Sequence, residues 1–331
     1  MDDTSTRPRL GLALSGAAAR SVFYLGFIEV IKEHDILVDV IAAQSGAAVV
    51  ASAYACDSLP QLKRDLLVEG SALRKLFMVR SKQGGGLYTL DTIEEYGRKV
   101  WTKGKSFEDV VPKLCFLATN LSSGEIVHLA SGDLARSVRI TCSVPGLFEP
   151  VRWGNYHLVD GGILSFMPGE VARQAGADVV VGVSVRATKH IFLPSQITLK
   201  KYYNALRDRL LTSYIYKAAR QSHRVLTTGS LEEDYVDVYG FYEDGKPAEY
   251  GIIKVLGRSL DLAIEARRAT QVMDQNFGCD LLIREGAGNF GDSVNMSKMQ
   301  QLYIQGRQSA VDNLPRIQAL LSEAATAKRN A

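Results

Sequence analysis

The apolar positions fall first into a repeated strand-turn-helix rhythm. Leu10-Gly11-Leu12-Ala13-Leu14 is an apolar run of strand length, and Ser15 to Ala19 are all small. Val22, Leu25, Ile28 and Ile31 then recur every third residue. That is the spacing of one helix face, and it predicts a helix over 21–34 with Lys32-Glu33-His34-Asp35 as its polar exit. A second strand is predicted over 38–43 and a second helix over 47–56. A β-turn-α-β-turn-α start implies parallel strands buried between helices. Further apolar strands are predicted over 114–118, 127–129, 156–159, 179–185 and 279–284. Helices are predicted over 168–175, with Pro168 in the first turn where its missing N–H costs nothing, and over 299–321.

After Val185 the pattern changes. Residues 189–224 hold eight Lys or Arg against one acid, Asp208, with Leu199, Tyr203, Leu206, Leu210 and Tyr214 at helical spacing. This predicts a long basic amphipathic helix, suited either to an interface or to packing as a cap. Strands over 236–241 and 252–255 and a helix over 261–276 complete the expectation. There are no internal repeats and no Pro/Gly-rich linker, so the expected division is one domain. Its core spans 10–175, and 176–331 is the C-terminal part, with a basic helical insertion at about 189–226.

Composition adds limits. A chain of 331 residues with 46% hydrophobic and 23% charged residues is ordinary for a globular protein with a large core. A net charge of +3 gives no argument for nucleic acid. Cys56, Cys115, Cys142 and Cys279 are scattered with no C-x-x-C pair, which predicts reduced thiols and neither a disulfide framework nor a zinc site. Residues 1–9 are polar, without the apolar stretch of a secretory signal. No run reaches the length of a spanning helix. The expectation is a cytoplasmic protein.

Three short segments could carry chemistry. In Ile41-Ala42-Ala43-Gln44-Ser45-Gly46-Ala47-Ala48 a serine ends an apolar run among small residues. A tight strand-to-helix turn of this kind exposes a hydroxyl at a helix N-terminus, whose dipole favours developing negative charge. The same pattern suits an ordinary N-cap. In Leu158-Val159-Asp160-Gly161-Gly162 an aspartate ends another apolar run; it is a candidate base, or simply a turn residue. The loop Ser15-Gly16-Ala17-Ala18-Ala19-Arg20-Ser21 could present unobstructed amides to an oxyanion. It lacks the Gly-Lys-Ser/Thr ending of a P-loop, and the second strand lacks the terminal acid of a dinucleotide site. The five histidines, His34, His128, His157, His190 and His223, suit solvated or structural roles, and His157 lies on the face of its strand opposite Asp160. A serine paired directly with an aspartate remains.

In their order and spacing these segments resemble the bacterial patatin-like phospholipases over about 10–173. The loop with Arg20 is similar to that family's oxyanion loop, Ala43 to Ala47 to its Gly-x-Ser-x-Gly elbow, and Asp160 to Gly162 to its Asp-Gly-Gly/Ala motif. Ala118 to Glu125 and Ser143 to Pro150 resemble two further family segments. The resemblance implies a three-layer α/β fold with a mainly parallel sheet, helices on both faces and a helical insertion. It implies hydrolysis of lipid carboxylic esters, of phospholipase A or lysophospholipase type, with Ser45 as nucleophile and Asp160 as base. Gly16, Ala17, Ala18 and Arg20 would form the oxyanion hole. No metal or organic cofactor is implied, and the expected partner is a phospholipid or other lipid ester met at the membrane periphery. The chain departs from the family at Ala17, Ala18, Ser21, Ala43 and Ala47, where glycines are usual, and at Tyr24, a common histidine position. Alanine resists positive φ at a cost of about 1 kcal/mol, so Gly16 is expected to supply the loop position that demands it. The alternative is a catalytically weak patatin fold that binds lipid or regulates.

Overall fold

In the computed structural model the described residues are 7–77, 79–81, 86–121, 123–153, 156–187, 242–243, 246–247, 275–287 and 296–330. The chain divides into one unit of Met1–Ile191 with Leu260–Ala331 and a second of Phe192–Ser259. The basic helix expected over 189–224, the strands over 236–241 and 252–255, and nearly all of the helix over 261–276 lie outside the described residues.

The first unit opens with β1 (Leu10–Leu14), α1 (Val22–Glu33), β2 (Val40–Ala43) and α2 (Gly46–Ala55). Next come α3 (Leu59–Leu67), α4 (Gly70–Phe77), β3 (Val79–Arg80), β4 (Gly86–Thr89) and α5 (Asp91–Val100). The third major strand is β5 (Lys113–Asn120), then β6 (Glu125–Leu129), α6 (Leu134–Thr141), β7 (Gly146–Phe148), β8 (Val151–Trp153) and β9 (Tyr156–Asp160). Helix α7 (Gly169–Gln174) and β10 (Val179–Ala187) follow. In the second unit the described residues form a two-stranded antiparallel ribbon, β11 (Tyr242–Glu243) and β12 (Lys246–Pro247). Strand β13 (Leu281–Ala287) and helix α8 (Met296–Asn330) return to the first unit.

The main sheet has the order β13-β10-β1-β2-β5-β9-β8, with β6 also on β5. Strands β13, β10, β1, β2 and β5 are parallel, and β6, β8 and β9 run antiparallel to their neighbours. Strand parity sorts the core into two layers. Leu10, Leu12, Leu14, Ile41 and Ala43 pack with α1 and α2 on one face. Ala13, Val40, Ala42 and Val180 pack with Phe166, Met167 and Ala172 on the other. The sheet is therefore covered on both sides, in three layers. Helix α2 is built almost wholly of Ala and Val and is buried nearly all round. Helix α8 lies on α1 with the two backbones nearly touching: a Cβ at Gly26 would come within 2.2 Å of the Tyr303 carbonyl oxygen, and one at Gly306 within 2.0 Å of that of Phe23.

Two further features position the site. Phe116 pairs with Ala43 of β2 and Leu129 of β6; Ala118 pairs with Val127 of β6 and Asp160 of β9. A strand has two edges, so β2 and β9 share one edge of β5. They run toward each other along it and stop two residues apart. Helix α6, whose C-terminal end meets this junction, is anchored by charge. The Arg139 guanidinium lies between Glu94 (3.1 Å) and Glu149 (3.3 Å), and Glu94 also takes Arg98 and Arg136. Burial pushes the Glu94 carboxyl up, but the arginines outweigh it and hold the group below its ordinary value. No described helix is long and apolar enough to cross a membrane.

Candidate active site

Ser45 stands between β2 and α2 at φ 54°, ψ −141°. A serine in the positive-φ region is strained by about 1–3 kcal/mol, a cost that local contacts must hold in place. It occupies the N-cap position of α2, yet its side chain makes no capping hydrogen bond. The hydroxyl instead lies close enough to the Asp160 carboxyl to lower its proton affinity. Thus the turn is an N-cap by position only.

Asp160 ends β9 and is buried. Its Oδ1 accepts the Gly162 amide at 2.8 Å, the local turn bond expected of Asp before Gly, so the turn role is present. Burial raises the carboxyl to about 6, against the opposing hydrogen bonds from Ser45 and Gly162. A carboxylate tuned so close to neutrality can take a proton and give it back. The Asp160 amide donates to the Ser143 carbonyl just past α6, at 2.9 Å. Gly161 lies so close to β5 that a Cβ on it would come 2.4 Å from the Leu117 carbonyl oxygen.

The small-residue loop after β1 lies against this pair. A Cβ on Gly16 would meet the Ser45 Cβ at 3.4 Å, and one on Gly46 would approach the Ala18 carbonyl oxygen to 2.4 Å. Ser15 donates its amide to Val183 on β10, at 3.1 Å. The amides of Gly16, Ala17 and Ala18 donate to no other described backbone group. The conformational expectation for this loop needs correcting. Gly16 does not have positive φ; Ala18 does, at 47°, while Ala17 sits at −138°. A Cβ on Gly16 would make only ordinary contact with Ser45, and the left-handed residue of the loop is an alanine. Arg20 is buried in the short 3-10 turn Ala18–Ser21, and its amide donates to the Ala17 carbonyl at 3.0 Å. Tyr24 reaches under the loop to the Ser15 hydroxyl and carbonyl, both at 2.9 Å.

Thr141 and Gln44, which the sequence does not single out, and Gly46, which it does, complete the arrangement. Thr141, at the end of α6, accepts the Ser45 amide on its Oγ1 (2.9 Å) and donates to the Leu117 carbonyl (2.6 Å). Gln44 donates its side-chain amide to the carbonyls of Ser165 (2.9 Å) and Phe166 (3.1 Å), tying the nucleophile turn to the chain that leaves Asp160. Gly46 admits the Ala18 carbonyl. Only Gly46 had a signal in the sequence: it is the one glycine in a turn whose flanking glycines have become alanine. Among the described residues no cluster of His, Cys, Asp or Glu is arranged to hold a metal.

Residues 12–173 match the family described as patatin-like phospholipase. An uncharacterized NTE family protein of Mycobacterium tuberculosis is 27% identical over 187 residues, covering 56% of this chain and 51% of the relative. Lysophospholipase NTE1 of Kluyveromyces lactis is 27% identical over 183 residues, and that of Coccidioides immitis 29% over 183; these matches cover 53% and 54% of this chain and 12% of each relative. The chain thus spans about half the length of the mycobacterial relative and about an eighth of the fungal ones. A crystal structure of VipD from Legionella pneumophila is similar at a TM-score of 0.40 and 14% identity, covering 94% of this chain and 67% of that one.

Proposed function

We propose, from the match of residues 12–173 to the patatin-like phospholipase family, that the chain is a serine acyl hydrolase of lipid carboxylic esters, acting through Ser45 and Asp160. The observation that carries the reading is the meeting of Ser45, strained at φ 54°, with the buried Asp160 carboxyl, which burial raises to about 6. In the acylation step Ser45 Oγ attacks the ester carbonyl carbon and its proton passes to Asp160. The carbonyl oxygen becomes an oxyanion, held by the amides of Gly16, Ala17 and Ala18 at the N-terminal end of α2. Collapse of the tetrahedral intermediate breaks the ester C–O bond, and the proton on Asp160 leaves with the alcohol. Water, deprotonated by Asp160, then attacks the acyl-serine and releases the carboxylic acid. The buried Arg20 is assigned to the support of the oxyanion loop.

A lipid ester is the substrate class the family favours, and a lysophospholipid is its most specific form here, because two of the relatives are named lysophospholipases. The test is release of free fatty acid from lysophosphatidylcholine by the wild type and by Ser45→Ala. Wild-type release that Ser45→Ala lowers by ~10³-fold or more supports the assignment. Equal release by both would remove Ser45 from the chemistry. Labelling of Ser45 by a generic acyl-serine probe without any release of fatty acid would favour the weakly catalytic, lipid-binding reading.

A further inference from the structure

The head-on meeting of β2 and β9 leaves a break in the hydrogen-bond ladder along β5. On that edge β2 pairs as far as Phe116 and β9 begins at Ala118, so the residue between them, Leu117, faces neither strand. Its carbonyl is not left bare. The Thr141 hydroxyl, wholly buried, donates to it at 2.6 Å and at the same time accepts the Ser45 amide at 2.9 Å. A single oxygen atom therefore takes the place of one ladder bond. It also holds the tip of β2 away from β5 by the width of a hydroxyl. The same α6 terminus holds the other partner, since the Ser143 carbonyl accepts the Asp160 amide at 2.9 Å and the Ser143 hydroxyl closes onto the Arg139 carbonyl at 2.9 Å.

We propose that Thr141 is a positioning residue for the hydrolysis, its hydroxyl fixing the offset between the Ser45 nucleophile and Asp160; this rests on the assignment of those two as the reacting pair. The side chain touches neither substrate nor the transferred proton. It acts through the backbone amide of Ser45, the residue of this turn with positive φ. Threonine suits the place because it offers a donor and an acceptor on one atom while its methyl fills apolar space.

The test is a series of Thr141→Ser, Thr141→Val and Thr141→Ala, assayed on p-nitrophenyl butyrate beside wild type and Ser45→Ala. Thr141→Ser keeps both hydrogen bonds and should stay within about 3-fold of wild type. Thr141→Val and Thr141→Ala should lose about 10- to 100-fold in kcat with KM changed by less than about 2-fold, the signature of a misplaced nucleophile and not of weakened binding. Cooperative thermal unfolding of each variant establishes that the loss is not one of fold. The proposal is overturned if both hydroxyl-free variants keep wild-type kcat, or if Thr141→Ser falls as far as Thr141→Val, which would assign the effect to packing. Failure of both hydroxyl-free variants to fold would also overturn it, because the hydroxyl would then serve the fold alone. Wild-type hydrolysis no faster than that of Ser45→Ala is a different result: it removes the reacting pair itself, and the role of Thr141 with it.

Discussion

Ser45 and Asp160 reach each other from strands that run in opposite directions along one edge of β5, Ser45 two residues past Ala43 and Asp160 at the last pairing of its own strand. Neither residue could be brought to the other by a continuous parallel ladder. The antiparallel β9 is what delivers a carboxylate to the carboxyl end of β2, where a parallel sheet presents its ligands. Burial at that junction raises the carboxyl proposed as the base.

The raised Asp160 carboxyl has consequences for both rate and stability. The base must be ionised, so kcat/KM should fall about tenfold per unit of pH below about 6. For stability the sign is the reverse. The folded value of about 6 lies above the ordinary 3.8, so the fold holds this proton more tightly than the unfolded chain does. Below 3.8 the group costs nothing; between 3.8 and 6 the cost grows, and above 6 it is full, at about 3 kcal/mol. Asp160→Asn should therefore be inactive, yet more stable than wild type at pH 8 by a few degrees in Tm, with the gain shrinking toward pH 4. Thermal unfolding across that range checks it, and a gain independent of pH would contradict the assignment.

Backbone strain at Ser45 separates two otherwise similar inactive variants. Glycine adopts φ 54°, ψ −141° readily and alanine does not. Ser45→Gly should be more stable than Ser45→Ala by about 1 kcal/mol, read from urea midpoints at equal m-values. Equal midpoints would mean that the turn relaxes once the hydroxyl is gone.

The oxyanion loop makes a paired prediction. Gly46→Ala would drive a Cβ into the Ala18 carbonyl and should displace the loop, lowering esterase kcat by about 10²-fold. Ala18→Gly removes a left-handed alanine and should leave activity at or above wild type, whereas Ala17→Gly, at φ −138°, gains nothing from the change. A fully active Gly46→Ala protein would place the loop's contribution elsewhere.

The three apolar runs around 10–14, 38–43 and 179–185 were legible because buried parallel strands are continuous in hydrophobicity. So were α1, α2 and α8, from periodicity and composition. The stretch from Ser58 to Lys113 was not: α3, α4 and α5 are amphipathic, but their apolar stripes are short and interrupted by charges, and β3 and β4 are only two and four residues long. At the site, Ser45, Asp160 and the loop from Gly16 were readable as small-residue turns at strand ends. Thr141 and Gln44 were not. Each works through hydrogen bonds to backbone groups distant in sequence, and no local pattern encodes such a partner. The conformation of Ala18 has no signal in the sequence, because positive φ there goes with the close packing of its carbonyl on Gly46 of α2 and not with a glycine in the loop.

The central claim is that Ser45 is an activated nucleophile and Asp160 the group that activates it. Its most direct measurement is reaction with a fluorophosphonate at pH 7.5, followed by intact mass and peptide mapping. One adduct per chain is expected, on Ser45, formed at least ~10²-fold more slowly in Asp160→Asn and not at all in Ser45→Ala. An adduct on any other residue, or equal rates of labelling in wild type and Asp160→Asn, would contradict it.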